Sequence, residues 1–394
     1  MNGIPPLKGL QNIGSTYYMN ATLQCFSQTK ALTEYFLNPS HENLIKNGLF
    51  NNNHNGLRLA SSYYTVVNNL WKIDGKKAFE PKDFKLVLGT LNPLFEKMEA
   101  SDAKDMIIFF LEQIHKEINL VNPPKTSKFN PNLNQYDKMN MLQQFLEEFK
   151  NTNKSIISDY FFSIMETTQE CQNCKINKIP NYIVYNYSIQ NLIIFPLEEV
   201  RKFKENNLKN QLILNQMQMM QNFGMNPMMI NMGMNGMNML PNMNTNEVNL
   251  DDCFEYNQKD DFMTGENKIY CNNCKQYSDS INRNKIFSLS NILIMILYRG
   301  KNNIYKVTLN FSEKIDLTKY VLNAQEKYIY NLYGVITHLG ESGESGHFVS
   351  SCKSPVDNKW YRYNDSIVYL INDFNKEVEK FGTPYILFYQ RDSK

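Results

Sequence analysis

Residues Tyr330 to Ile371 read YNLYGVITHLGESGESGHFVSSCKSPVDNKWYRYNDSIVYLI. A strand-like run leads into a glycine-rich loop, a histidine opens a second strand, and Trp-Tyr-x-Tyr-Asn-Asp follows. The stretch offers the imidazole of His347 with candidate orienting groups at Asn364 and Asp365, parts that suit a nucleophile-plus-base mechanism. A lone histidine at a strand start is usually structural. The reading therefore depends on what the rest of the chain supplies.

Working outward, YFFSIMETTQE, NYIVYNYSI, FSLSNILIMIL and YILFYQ are rich in β-branched and aromatic residues over strand-like lengths, so the chain after Ser155 is expected to be mostly strand. The first half differs. Gly14 to Leu37 places Met19, Leu23 and Phe26 on one helical face, with Ser15 or Thr16 available as N-cap. Leu57 to Lys72, Pro81 to Leu91 and Ser101 to Leu120 also read as helices, the last capped by Ser101 or Asp102. Residues 210–246 form a Met/Asn tract that holds eleven of the 20 methionines and keeps no strand or helix period. It is expected to be a disordered surface insert.

The chain has 394 residues, 42% hydrophobic and 20% charged, which excludes wholesale disorder and a coiled coil. A net charge of +2 without a long basic run argues against nucleic acid or an anionic membrane as partner. Apolar runs such as Ile292 to Leu297 are too short to cross a bilayer. The start, MNGIPPLKGLQN, has two prolines where a signal peptide needs an apolar segment. An intracellular protein, cytoplasmic or nuclear, is expected. Its seven cysteines then favour metal ligation over disulfides.

Four of them form two C-x-x-C pairs, Cys171 with Cys174 and Cys271 with Cys274. Each knuckle can point two thiolates at one ion in the tetrahedral arrangement that zinc prefers. The pairs are too far apart for a local finger, so the fold must bring them together. Four cysteine ligands would make a closed, structural Zn2+ site with no open position for catalysis. Cys25, Cys253 and Cys352 belong to no such motif and read as small buried residues.

With these parts in place, the chain resembles the ubiquitin-specific proteases, papain-like cysteine peptidases that remove ubiquitin. GLQNIGSTYYMNATLQC is similar to the family's Cys box, and HLGESGESGHFVSS with WYRYND to its His box. DAKDMIIFFLEQIHKEI resembles the thumb helix, LDDCFEYNQKDDFMTGENKIYCNNC the approach to the second zinc knuckle, and ILIMILYRG a palm strand. The resemblance implies an α+β fold with a helical thumb (1–154), zinc-ribbon fingers (155–285, carrying the insert 210–246) and an antiparallel β palm (286–394), as a single domain over 1–394. It also implies a ubiquitin tail running between thumb and palm. By the same resemblance His347 matches the general base, Asn364 the third triad position, Asp365 the acidic residue beside it, and Asn12 the side-chain oxyanion donor.

The position of the family's nucleophilic cysteine, however, is Tyr17. A cysteine there would gain thiolate character from the helix N-terminus and a neighbouring imidazole. A tyrosine starts from a pKa near 10 and its ring would fill the space for the scissile peptide. Cys25 lies about 12 Å further along the helix axis and is turned by roughly 80°, so it cannot easily stand in. Tyr298-Arg299-Gly300 is a second departure, where the family usually carries Lys-Arg-Phe. The expected function is a catalytically inactive homologue that binds ubiquitin or ubiquitylated proteins. The alternatives are a scaffold subunit of a larger assembly that has lost ubiquitin binding, and an active thiol-dependent deubiquitinase.

Overall fold

The run Ile292–Leu297 is buried throughout, and its alternation sorts the fold into two cores. Ile292, Ile294 and Ile296 face one cluster, while Leu293, Met295 and Leu297 face the other. A strand sandwiched on both faces explains why the sequence there is continuously apolar rather than alternating. The computed structural model of the chain describes residues 7–47, 58–121, 134–222, 246–300, 307–342 and 345–392.

The first core is built from β1 (Gly9–Leu10), α1 (Tyr17–Gln28), α2 (Lys30–Leu37), α3 (Glu42–Asn47), α4 (Leu59–Leu70), β2 (Ala78–Phe79), α5 (Lys82–Leu91), α6 (Ala103–Ile118) and α8 (Ile156–Phe161), while α7 (Lys138–Thr152) buries no residue in it and sets Phe145 against Tyr187 of the fingers. Met19, Leu23 and Phe26 of α1 are fully buried, and Phe26 stacks on Phe110 of α6 with centroids 4.3 Å apart. Asp102 caps α6 by accepting from Lys104 N. Thr16 occupies the N-cap of α1 without a side-chain capping bond. This helical layer covers one face of the palm sheet.

The chain then alternates between fingers and palm. It runs through β3 (Ser163–Cys171), α9 (Gln172–Ile176), β4 (Ile183–Gln190), β5 (Ile193–Pro196), α10 (Leu197–Asn222), β6 (Glu247–Asn249), α11 (Leu250–Asn257), β7 (Asp260–Met263), β8 (Ile269–Cys271), β9 (Gln276–Ser278) and β10 (Ser280–Ser288). The fingers are the antiparallel sheet β4-β3-β10-β7, with β8 and β9 as a separate hairpin.

The palm continues with β11 (Ile292–Tyr298), β12 (Thr308–Asn310), β13 (Lys314–Asp316), β14 (Ile329–Ser342), β15 (Ser345–Lys353), β16 (Trp360–Asn364), β17 (Ile367–Leu370) and β18 (Thr383–Arg391). Its order is β17-β16-β15-β14-β18-β11-β5, with β13 paired to β14. Every pair in this sheet is antiparallel except β5 with β11. The fold is the α+β arrangement of thumb, fingers and palm.

Two expectations need correction. The stretch 155–285 is not all fingers. β5 joins the palm sheet, and Ile193, Phe195, Leu197, Val200, Val248, Leu250, Cys253 and Phe254 fill the second core against the palm. Ile156, Ile157 and Phe161 fill the first core, while β10 runs past 285. The Met/Asn tract is also not irregular from its start, because α10 carries helix through Asn222. Leu197 and Val200 anchor this helix, and Glu198–Arg201, Arg201–Glu205 and Glu205–Lys209 pairs brace its exposed side. Gln, Met, Leu and Lys are good helix formers, so propensity sustains the segment without an apolar period. Residues 223–245 lie outside the described residues.

Candidate active site

Tyr17 opens α1 because the turn before it is fixed by backbone geometry and by Asn12. Gly14 has φ +119 and Ser15 φ +50, left-handed values that turn the chain into the helix. Asn12 Oδ1 accepts from Gly14 N at 3.2 Å and Thr16 N at 3.1 Å. Its Nδ2 donates to Asp365 Oδ2 at 3.0 Å. Asn12 is therefore tied at both ends, with one amide hydrogen left over.

His347 sits on β15 at half burial. Its Nε2 lies 2.8 Å from Asn364 Oδ1. That oxygen can only accept, so Nε2 carries a proton, and in the neutral ring Nδ1 keeps its lone pair. Asp365, held at φ +48, places Oδ2 3.8 Å from the same Nε2. The Tyr17 ring lies against the imidazole with centroids 4.8 Å apart and planes tilted by 52°. Neither the Tyr17 hydroxyl nor His347 Nδ1 has a hydrogen-bond partner among the described residues. Burial, and then the field of Asp365, push the Tyr17 phenol up from its ordinary value, so the hydroxyl stays protonated.

The fold thus brings Asn12, Tyr17, His347, Asn364 and Asp365 into one cluster. It also adds two contributors that motif reading missed. Asn20, buried one turn into α1, donates from Nδ2 to Asp365 Oδ1 at 2.8 Å and to Gln11 O at 3.2 Å. Gly9 presses against the next segment so closely that a Cβ would sit 2.4 Å from Asp365 O, and Leu10 N donates to that same carbonyl at 2.9 Å. The available signal was a stripe of amides, Asn20, Gln24 and Gln28, at spacing four on a buried helix face. Gln24 reaches Lys8 O and Gln28 reaches the Tyr363 hydroxyl.

No thiol lies at hand for the imidazole. Cys25 is fully buried with Sγ 3.5 Å from Cys352 Sγ, and burial pushes its thiol well above the ordinary value. Cys253 is enclosed in the second core and shifted upward for the same reason. The remaining four cysteines meet in the fingers. The Sγ atoms of Cys171, Cys174, Cys271 and Cys274 all lie within 4.8 Å of one another. The Cys171–Cys274 and Cys174–Cys271 separations are 3.9 and 3.7 Å, close to the edge of about 3.8 Å expected for four thiolates about 2.3 Å from one ion. Asn273 Nδ2 points at Cys174 Sγ, 3.7 Å away, while donating to Pro180 O. The Ser278 hydroxyl, 3.5 Å from Cys274 Sγ, draws that thiol down to about 6. This donor set fits a closed tetrahedral metal site.

At the second departure, Arg299 turns inward and is only 6% exposed. Its Nη1 donates to Leu297 O and Pro384 O. Tyr298 faces outward instead.

The family model for ubiquitin carboxyl-terminal hydrolase matches residues 8–389. Ubiquitin carboxyl-terminal hydrolase 2 of Homo sapiens is 23% identical over 391 residues, covering 98% of this chain and 55% of the relative. Ubiquitin carboxyl-terminal hydrolase 21 of Homo sapiens is 23% identical over 406 residues, covering 97% of this chain and 61% of the relative. The chain therefore spans little more than half the length of these curated relatives. Among solved structures, the SAGA DUB module of Ubp8, Sgf11, Sus1 and Sgf73 bound to monoubiquitin aligns with a TM-score of 0.67 at 17% identity, covering 100% of this chain and 71% of that one. The same module bound to ubiquitin aldehyde aligns with a TM-score of 0.64 at 16% identity, covering 100% and 71%. With the family model spanning nearly the whole chain, over a thumb, fingers and palm that match its fold, the chain belongs to the ubiquitin carboxyl-terminal hydrolase family.

Proposed function

We propose that this chain is a catalytically inactive ubiquitin-specific protease homologue that binds ubiquitin, or a protein carrying ubiquitin, in the cleft between thumb and palm. The observation that carries this reading is Tyr17 packed against His347 at 4.8 Å, where a thiol would have to stand. A neutral phenol is a poor nucleophile, and Cys25 is sealed against Cys352. His347 would hold the base position, Asn364 its orienting position and Asn12 the oxyanion position. The four fingertip cysteines, Cys171, Cys174, Cys271 and Cys274, would hold structural zinc, supplying folding energy and no chemistry. A four-thiolate site suits a reducing compartment, cytoplasmic or nuclear.

A titration of labelled ubiquitin with the full chain tests this reading. Saturable binding is expected, and it should be lost when the ubiquitin tail is truncated. No turnover should accompany it. Covalent capture of the wild-type chain by ubiquitin carrying a thiol-reactive C-terminus would instead establish an active thiol.

The inward turn of Arg299 beside an outward Tyr298 favours a second reading. Here the domain is a scaffold subunit of a larger assembly and no longer grips ubiquitin. Absence of binding at high ubiquitin concentration, with the chain folded, would put that reading first.

A further inference from the structure

On the palm face turned away from α1, Arg362 lies on β16 between Trp360 and Asn364. It is only 1% exposed, and its guanidinium carbon sits 3.6 Å from the centroid of the Phe381 ring. Arg362 makes no hydrogen bond or ion pair with any described residue, and Nε and Nη1 are sealed from solvent without an acceptor. Burial opposes the charge, and Tyr369, its partner in the β16–β17 register, and then Glu377 contribute favourable fields from beyond hydrogen-bond distance, Glu377 Oε1 being taken by Asn372 N and Asp373 N at 3.0 Å. A guanidinium does not deprotonate in a protein, so a cation remains that is met among the described residues by the face of the Phe381 ring and by no anionic or hydrogen-bonding group.

Its neighbours supply more donors. Ser351 stands directly across from Arg362 in the β15–β16 register. Thr337 follows two residues after Val335, the residue opposite Ser351, so all three side chains share one face. Ser351 and Thr337 are fully buried, and neither hydroxyl has a partner among the described residues. Phe381 and Gly382 close over this strip, Phe381 on the guanidinium and Gly382 against the Thr337 methyl.

The strip is therefore rich in donors, and the acceptors that its described side chains offer are neutral hydroxyl oxygens, which leave the guanidinium charge unmatched. A water could bridge the guanidinium and the hydroxyls but would leave the buried charge uncompensated. An anion accepts from all of them and neutralises the charge. We propose that Arg362, Ser351 and Thr337 hold a small monoatomic anion of the halide class. Asn364, which fixes His347, is the next residue on that face of β16, so the anion would brace the strand that aims the imidazole. The proposal does not depend on ubiquitin binding.

The test is thermal unfolding of the full chain in sodium bromide or chloride against sodium gluconate at fixed ionic strength. Wild-type protein should show a saturable rise in Tm of about 2 °C at tenfold excess over Kd. Arg362→Met should unfold cooperatively in gluconate and lose the halide response. If that variant does not fold, Ser351→Ala, which keeps the charge and removes one donor, should show a weakened response. Bromide-soaked crystals should give an anomalous peak within hydrogen-bond reach of Arg362 Nη1 and Ser351 Oγ. Equal Tm in halide and gluconate, an undiminished response in Ser351→Ala, or a water where the bromide peak should lie would overturn the site.

Discussion

The side-chain amide of Asn20 donates to Asp365 Oδ1 at 2.8 Å, while Asn12 holds the other carboxylate oxygen at 3.0 Å. The carboxylate thus joins the start of the thumb to the end of β16. Hydrogen bonds to a charged group contribute about 1.5–3 kcal/mol each, and the bond to Asn20 is formed by a residue only 2% exposed. Asn20→Ala is expected to lower unfolding free energy by about 2 kcal/mol, read from the urea midpoint at unchanged m. Asn20→Asp should cost more, because it sets carboxylate against carboxylate. A variant as stable as wild type would mean that Asn12 and the backbone hold Asp365 without Asn20.

That clamp marks where sequence reading ended. Met19, Leu23 and Phe26 declared their face through spacing, and the apolar run Ile292–Leu297 declared a buried strand. The C-x-x-C pairs declared ligands without saying where they meet. The partners of Asn20 were not legible, because Asp365 is 345 positions away and reaches it only through tertiary packing. Glu117 is a similar case. Its carboxylate accepts from Leu59 N and Ala60 N at 2.9 and 2.8 Å, capping α4 from another helix where no local residue could. The path of 193–257 back to the palm was hidden for the same reason, since only the pairing of β5 with β11 sends it there.

His115 provides a pH test. Its Nε2 proton goes to Asn153 Oδ1, which leaves Nδ1 to accept from the Ser155 hydroxyl at 2.7 Å. Burial lowers its pKa from the ordinary 6.5. The unfolded chain therefore takes up this proton first. The stabilising contribution is complete above about pH 6.5 and declines as pH falls toward the folded value, at no more than about 1.4 kcal/mol per pH unit. His115→Gln should flatten the wild-type loss of stability below pH 6.5. Parallel curves for the two proteins would show that another group sets the acid limb.

The fingers should depend on metal and the thumb should not. One zinc per chain is expected by elemental analysis, falling below one in Cys271→Ser. Removing the metal with a mercurial and a chelator should speed hydrogen exchange in β3, β4 and β8 to β10, whose knuckles the thiolates join. The first core, centred on Phe26 and Phe110, should keep its protection. Uniform loss of protection would mean that fingers and thumb unfold together.

Restoring a thiol at position 17 tests whether the rest of the cleft is still built for chemistry. His347 already has its Nε2 proton committed to Asn364 at 2.8 Å, which leaves the Nδ1 lone pair for a nucleophile at the start of α1. The first turn of that helix has no side-chain cap, so its amides can favour a thiolate. Tyr17→Cys should therefore hydrolyse a fluorogenic ubiquitin C-terminal amide, where wild type does not. Adding Asn364→Ala should reduce kcat by about 10²-fold or more, because the imidazole loses the acceptor that fixes its tautomer. Ubiquitin affinity should change little, since that bond lies within the protein. If Tyr17→Cys folds and binds ubiquitin yet stays inert, the loss of function extends beyond the nucleophile to the positions of Asn12 and His347. If Asn364→Ala leaves kcat untouched, the Asp365 carboxylate 3.8 Å from the same Nε2 orients the base instead.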